Sequence, residues 1–364
     1  MTDTRSAPPP QPDGPPQESR YDRHALVPGW KQDALGSATV VVLGVGALGN
    51  VVAQALALAG VGRLLLCDPD VVAPSNLSRC PLFRPDDVGR PKARVAAAAL
   101  TRLAPEVRAE ARTAPLVSGV GLGELRAAEL VVGCLDSRAA RIELATRCSL
   151  VGVGMLDGGT HDWGGQVTYF PPGGRCWACG TPTDELAVAD SPWSCAAPLA
   201  AGMPVGASAP VSFLVGSWLA GHAVRLLLGL PVEPLPLRID AYGSTLPVSG
   251  TGPMDTPGED CPLHEHIDED AVRRLPFGHE ARVSELLAHV GADEEPLGWA
   301  GFPAADEPPK ALPAAFRLRA AAPEATLREI GVAPMELLAV TRRDGNGLRY
   351  LELAGDGGIP CETT

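Results

Sequence analysis

Residues 38 to 70 read ATVVVLGVGALGNVVAQALALAGVGRLLLCDPD, and few folds accommodate that order of segments. An apolar run ends in the turn Gly44-Val45-Gly46-Ala47-Leu48-Gly49, an alanine-rich stretch of helical composition follows, and a second apolar run, RLLLCD, closes the unit. Strand, glycine turn, helix and strand in succession predict the start of a doubly wound, mainly parallel α/β sheet of Rossmann type. In that setting Gly44 permits the tight turn, Gly46 lets a ligand approach the backbone, and Gly49 lets the helix pack on the sheet. The helix N-terminus then turns unsatisfied amides toward a phosphate.

The alternation continues. Residues 90 to 104 and 137 to 150 have helical composition, and 129 to 136 and 151 to 159 read as strands. Beyond 160 the pattern changes to turns, a long Gly/Pro/Ala segment, an apolar stretch over 211 to 230, and a strand over 235 to 242. From about 267 the composition shifts again. Thr326 and Glu329 form a capping-box pattern, and RRDGNG between two apolar runs predicts a hairpin. With 364 residues the chain has room for one large domain and an appendage. The expected division is a proline-rich disordered tail over 1–19, the α/β domain over 20–266, and a small α+β unit over 267–364 whose role the residues do not announce.

A net charge of -13 argues against general nucleic-acid or anionic-membrane binding, since both need a basic face. Yet Arg79, Arg84, Arg90 and Lys92 fall within the polar segment NLSRCPLFRPDDVGRPKA (76 to 93). A local cationic cluster in an acidic chain suits one small anion. The N-terminus lacks an apolar signal-like run, and nine cysteines without one suggest reduced thiols, hence a cytoplasmic setting. The apolar stretch 211 to 230 contains His222 and Arg225, which favours a core or interface helix over a membrane span.

Ligands in doubly wound sheets bind beyond the carboxyl ends of the strands, where Asp68, Asp70, Asp136 and the start of the cationic segment lie. Asp68 stands nineteen positions after Gly49, a spacing suited to a ribose hydroxyl of either NAD or ATP. Arg79 and Lys92 favour the triphosphate, which needs fixed cations, and Asp136 with Asp70 nearby offers hard oxygen ligands for Mg²⁺. An NAD-dependent oxidoreductase would have no use for Arg79, Lys92 and Asp136 together, and a non-catalytic scaffold would be expected to have lost one of them.

Arg20-Tyr21-Asp22-Arg23, the GVGALG turn, Asp68-Pro69-Asp70, Ser75-Asn76-Leu77-Ser78-Arg79, Gly89-Arg90-Pro91-Lys92-Ala93 and Leu135-Asp136 occur in one order. That series resembles the ThiF/MoeB/HesA family, bacterial relatives of ubiquitin-activating enzymes, over residues 20 to about 266. The resemblance implies ATP·Mg-dependent adenylation of a carboxylate, usually the C-terminal glycine of a small β-grasp sulfur-carrier protein, with thiocarboxylate formation from a sulfur donor as a following step. Adenylation of a peptide or small-molecule carboxylate is the alternative within the class. By resemblance Asp68 binds the ribose, Asn76, Arg79 and Lys92 surround the phosphates, and Asp136 assisted by Asp70 holds Mg²⁺. Arg23 resembles an arginine that reaches into a neighbouring protomer's site, which implies a homodimer. Cys80, Ser137 and His24 depart from the family's usual glutamine, asparagine and glutamine.

Cys176-Trp-Ala-Cys179 and Cys261-Pro-Leu-His264 together supply the ligand types of a tetrahedral zinc site that would clip distant segments, with His266 as the rival fourth ligand. Relatives often carry paired CxxC motifs at these places. Cys195 resembles a crossover-loop position where many relatives have a reactive cysteine, which could accept the acyl group or take part in sulfur transfer.

Overall fold

The computed structural model describes residues 18–161, 163–179, 208–232, 237–240, 256, 258, 261, 263–299, 315–342 and 347–355. The central sheet contains β1 (Thr39–Leu43), β2 (Arg63–Cys67), β3 (Arg108–Arg112), β4 (Leu130–Gly133), β5 (Met155–His161), β6 (Gly164–Phe170) and β7 (Leu237–Asp240) in the order β3-β2-β1-β4-β5-β6-β7. From β3 to β5 the pairing is parallel; β5–β6 and β6–β7 are antiparallel. The chain order reverses between β1 and β4, so a crevice opens beyond their carboxyl ends. β1, β2 and β4 are almost wholly buried runs of Val and Leu, as a strand covered on both faces requires.

The helices of this body are α1 (Gln32–Ser37), α2 (Ala47–Ala59), α3 (Lys92–Leu103), α4 (Leu116–Gly119), α5 (Leu122–Arg126), α6 (Arg138–Val151) and α7 (Ala209–Leu227). α2, α3 and α7 pack one core on one face of the sheet, and α5 and α6 contribute to a second core on the other. α7 is long and apolar enough to cross a membrane by length and composition. It buries Val211, Val215, Leu219 and Ala223 against the rest of this body, so it packs as a core helix along one side.

β6 corrects the expectation of turns after residue 160. Its glycine start and half-buried face hide the strand pattern, yet it pairs with β5 through seven residues, from Met155↔Phe170 to His161↔Gly164. β3, RAEAR, is an edge strand whose charges find partners on β2 and α5: Arg63 Nε meets Glu110 at 2.9 Å, and Arg112 meets Glu124 at 2.9 Å.

A second sheet, in the order β10-β9-β11-β12-β8, is formed by β8 (Val272–Arg274), β9 (Glu294–Trp299), β10 (Ala315–Arg317), β11 (Leu337–Arg342) and β12 (Leu348–Glu352). β11 and β12 flank the RRDGNG segment and pair antiparallel. Thr326 and Glu329 exchange hydrogen bonds, at 2.8 and 3.1 Å, but the box closes a turn and not a helix, because Gly331 reverses the chain at φ +87° with Pro334 close behind. This sheet has its own core around Leu286, Leu338 and Leu351, and it docks on α5 and α6. A Cβ on Gly121 would stand 2.0 Å from the Pro334 carbonyl, and the Gly123 amide donates to the Met335 carbonyl at 2.9 Å. Beneath that seam Arg147 and Glu336, both buried, pair at 2.7 Å.

Candidate active site

Beyond the ends of β1, β2 and β4 lies a cavity of about 230 Å³ whose walls include Gly44, Gly46, Asp68, Asp70, Lys92 and Asp136. The turn after β1 has the shape the glycine spacing demands. Gly44 takes φ +85°, and a Cβ there would lie 2.4 Å from the Cys134 carbonyl. A Cβ on Gly49 would lie 1.9 Å from the Gly44 carbonyl, so α2 approaches the turn as closely as backbone allows. At Gly46 a Cβ would meet nothing within 4 Å, which leaves open space at the start of α2 where a phosphate would approach.

Asp68 is 5% exposed and stitches two loops together. Its Oδ2 accepts the Val45 amide at 2.7 Å and its Oδ1 accepts the Asp70 amide at 2.9 Å. Burial raises its carboxyl; Lys92 and the two amides pull the other way. The segment from 71 to 91 leaves the sheet and returns, closed at its neck by Gly89 N–H to Val72 O at 2.8 Å and Lys92 N–H to Asp70 O at 2.9 Å. Gly89 makes that return at φ +86°. Lys92, 4% exposed at the start of α3, then sets its ammonium 2.7 Å from Asp70 Oδ2. The excursion therefore delivers one buried cation to the crevice.

The other cations lie elsewhere. Asn76, buried, accepts the Ala73 amide at 2.9 Å through Oδ1 and so holds its own turn. Arg79 donates to the Ser75 carbonyl at 2.6 Å. Neither Asn76 nor Arg79 is among the residues lining the cavity. Arg90 pairs at the surface with Asp87. In the Arg20–Arg23 motif, Arg20 and Tyr21 both engage Glu106 beyond α3, which anchors the segment and leaves Arg23 exposed at the surface. Cys195 lies outside the described residues.

Three site residues escaped the sequence reading. Asn50, 0% exposed on α2, donates to the Val45 carbonyl at 2.8 Å and accepts the Leu82 amide at 3.0 Å, binding the glycine turn to the cationic excursion. One asparagine inside an apolar helix was the available signal. Arg141 on α6 donates to the Leu135 and Gly158 carbonyls and forms an ion pair with Asp157 on β5. Asp157 is 1% exposed; burial pushes its carboxyl up to about 6, and Arg141 beside it pulls it down. Two thiols also line the cavity. Burial raises both, Cys67 to about 12, so neither is a ready nucleophile.

On the far side of α6, Cys176, Cys179, Cys261 and His264 place one ligand atom each within 4.8 Å of one another. Cys176 and Cys261 sulfurs are 3.6 Å apart, Cys176 and Cys179 sulfurs 3.8 Å, and Cys179 Sγ stands 2.9 Å from His264 Nε2. Bonds of about 2.3 Å at tetrahedral angles place sulfurs about 3.8 Å apart, so the donor set and spacing suit a four-coordinate metal. The Cys176 hydrogen bond, then His264, hold the Cys179 thiol well below the ordinary range, and its sulfur also accepts the Cys176 and Gly258 amides at 3.3 Å. His266 sits apart, against Gly152 and Ser149, so His264 is the histidine of the cluster.

The ThiF family model matches residues 21–261. The SAMP-activating enzyme E1 of Haloferax volcanii is 31% identical over 271 residues, 74% of this chain and 96% of that protein. The sulfur carrier protein adenylyltransferase of Thermus thermophilus is 36% identical over 220 residues, covering 58% and 78% of the two chains. The molybdopterin-synthase adenylyltransferase of Escherichia coli is 32% identical over 215 residues, covering 58% and 82%. Among solved structures, E. coli MccB with ATP aligns with a TM-score of 0.55 at 20% identity, over 68% of this chain and 74% of that one, a likeness of fold. A match across two-thirds of the chain, on a sheet that carries the motifs at its switch point, makes this chain a member of the ThiF family.

Proposed function

We propose that the chain is an ATP·Mg-dependent adenylyltransferase that activates the C-terminal carboxylate of a small ubiquitin-like sulfur-carrier protein. One observation carries the reading: the crevice at the switch point gathers the glycine turn, Asp68, the Lys92–Asp70 pair and Asp136 around one cavity in a ThiF-family chain.

In this reading the triphosphate lies over Gly46 and the start of α2, with Asp68 at the ribose. Lys92 carries three N–H donors; Asp70 takes one, and the phosphates compete for the ammonium when ATP enters. Asn76 on the Pro74–Ser78 turn and Arg79 at its end stand outside the cavity lining and would swing toward the phosphates as ATP enters. Asp136 and Asp70 hold Mg²⁺, which when bound neutralises charge on phosphate oxygens. The carrier's carboxylate oxygen attacks the α-phosphorus, the bond to the β-phosphate oxygen breaks, and pyrophosphate leaves with its added charge facing Lys92 and Arg79. Fixed cations offset the repulsion between the two anions as they meet; loss of one such donor typically lowers the rate about 10²–10³-fold.

The same reading places zinc in the Cys176/Cys179/Cys261/His264 cluster as a clip between β6 and the chain entering the second sheet. It supplies Arg23 from a second protomer, making the enzyme a homodimer, and gives Cys195 the role of acyl acceptor ahead of transfer to a sulfur donor. The setting is cytoplasmic.

Calorimetric titration of ATP with Mg²⁺, and of NAD⁺ in parallel, tests the nucleotide assignment. ATP binding that weakens sharply in Asp136→Ala supports it. Tight NAD⁺ binding without ATP binding overturns it.

A further inference from the structure

The loop that carries Asp136 is held from both flanks. On the β1 side, the Cys134 amide donates to the Leu43 carbonyl at 2.7 Å. On the β5 side, one guanidinium does the work. Arg141 donates through Nη2 to the carbonyl of Leu135, the residue just before Asp136, and to the carbonyl of Gly158 at 3.1 Å, while Nη1 pairs with Asp157. Asp157 lies opposite Gly133 in the parallel register, so the strand that precedes the loop and the strand that anchors Arg141 are hydrogen-bonded neighbours. Room for the guanidinium comes from Gly159, where a Cβ would stand 3.2 Å from Arg141 Nη2. Downstream, the Ser137 hydroxyl accepts the Ala140 amide at 3.0 Å and caps α6, which fixes the base of Arg141 itself.

We infer that Arg141, oriented by the buried carboxylate of Asp157, is a positioning residue that sets the Asp136 carboxylate for the divalent cation. The inference rests on the adenylation reading, in which Asp136 holds that cation. Three donors of a planar fork directed at Leu135, Gly158 and Asp157 define the loop's orientation in a way a point charge cannot. Groups that orient a metal's ligands commonly change metal affinity about 10- to 100-fold when removed.

The test uses the full chain and reads binding, not turnover: ATP titrations by calorimetry across a series of Mg²⁺ concentrations, with Asp136→Ala as reference. Asp157→Asn keeps the shape of the anchor and removes its charge; Arg141→Lys keeps the charge and removes the fork. In both, the Mg²⁺ concentration for half-maximal ATP binding is expected to rise about tenfold, while ATP affinity at saturating Mg²⁺ stays near wild type. Gly159→Ala, which crowds the guanidinium without touching a charge, is expected to move the curve the same way and serves if either of the others fails to fold. Variants that titrate with Mg²⁺ as wild type does, while Asp136→Ala has lost the dependence, overturn the positioning role and leave the adenylation reading standing. A wild-type protein whose ATP binding is indifferent to both Mg²⁺ and Asp136→Ala overturns both.

Discussion

Two glycines three positions apart in one turn should respond to the same substitution in opposite ways. Gly49→Ala sets a methyl 1.9 Å from the Gly44 carbonyl oxygen and 2.9 Å from its carbon. An ordinary contact needs about 3.4 Å, so α2 must retreat by roughly 1.5 Å from the turn. The obstacle is backbone, and the Gly44 amide is itself tied to the Cys67 carbonyl at 2.9 Å, so the turn has little freedom to yield. Overpacking generally costs about 1–3 kcal/mol, and an immovable carbonyl places this case at the top of that range; about 3 kcal/mol corresponds to a fall in Tm of roughly 6–12 °C for a domain this large. Gly46→Ala meets nothing within 4 Å, and its φ of -74° lies outside the left-handed region that favours glycine. Stability should change by less than about 1 kcal/mol. Its methyl instead enters the open space where the proposed adenylation reading puts the triphosphate, so on that reading ATP affinity should fall at least about tenfold, equivalent to about 1.4 kcal/mol. Thermal unfolding and ATP calorimetry on the two variants separate these signatures. A Gly49→Ala protein that melts with wild type, or a Gly46→Ala protein that binds ATP normally, refutes the geometric argument.

The remaining expectations concern the frame around the site. Purified protein should carry one zinc per chain by metal analysis, and Cys261→Ser should lose it together with several degrees of Tm; full stability after complete chelation contradicts the clip. Arg147→Ala leaves the Glu336 carboxylate buried without its cation, which should cost about 3–5 kcal/mol in urea unfolding, whereas Arg147→Met with Glu336→Leu should recover most of that loss. Glu143, 1% exposed, has its carboxyl raised from 4.5 to about 7, by burial first, with Arg147 opposing and Glu336 adding. Between those two values the folded chain holds a proton that the unfolded chain has released, so this group's contribution falls as pH rises from about 4.5 through 7. Glu143→Gln should therefore flatten the decline and gain up to about 3 kcal/mol at pH 8, measured by unfolding across pH.

The glycine turn, the parallel strands and the acids at their ends were legible because each leaves a local mark: a buried β1 is a run of Val, and a left-handed Gly44 must be glycine. That Cys176, Cys179, Cys261 and His264 gather in one place was legible for the same reason, since thiols and imidazole at short spacing have few other uses. What stayed hidden depends on distant partners. β3 carries Arg and Glu at an edge, and nothing within RAEAR reveals that Arg63 and Glu124 await them. Arg141 and Asp157 look like ordinary surface charges in sequence; burial against each other, across sixteen positions of chain, is a property of the α6–β5 packing. Arg79 shows the converse, a motif residue whose guanidinium rests on the Ser75 carbonyl outside the cavity lining. The second sheet's docking was hidden as well, because it rests on backbone approach at Gly121 and Gly123 to a turn over two hundred positions away.

Adenylation of a carrier's terminal carboxylate is read out by release of AMP and pyrophosphate from ATP·Mg in the presence of carriers ending in a free glycine carboxylate. Release should require the free carboxylate, disappear when the carrier's tail is amidated, and be lost in Asp136→Ala. ATP that binds yet yields neither product with any carboxylate-terminated carrier or peptide would contradict adenylation.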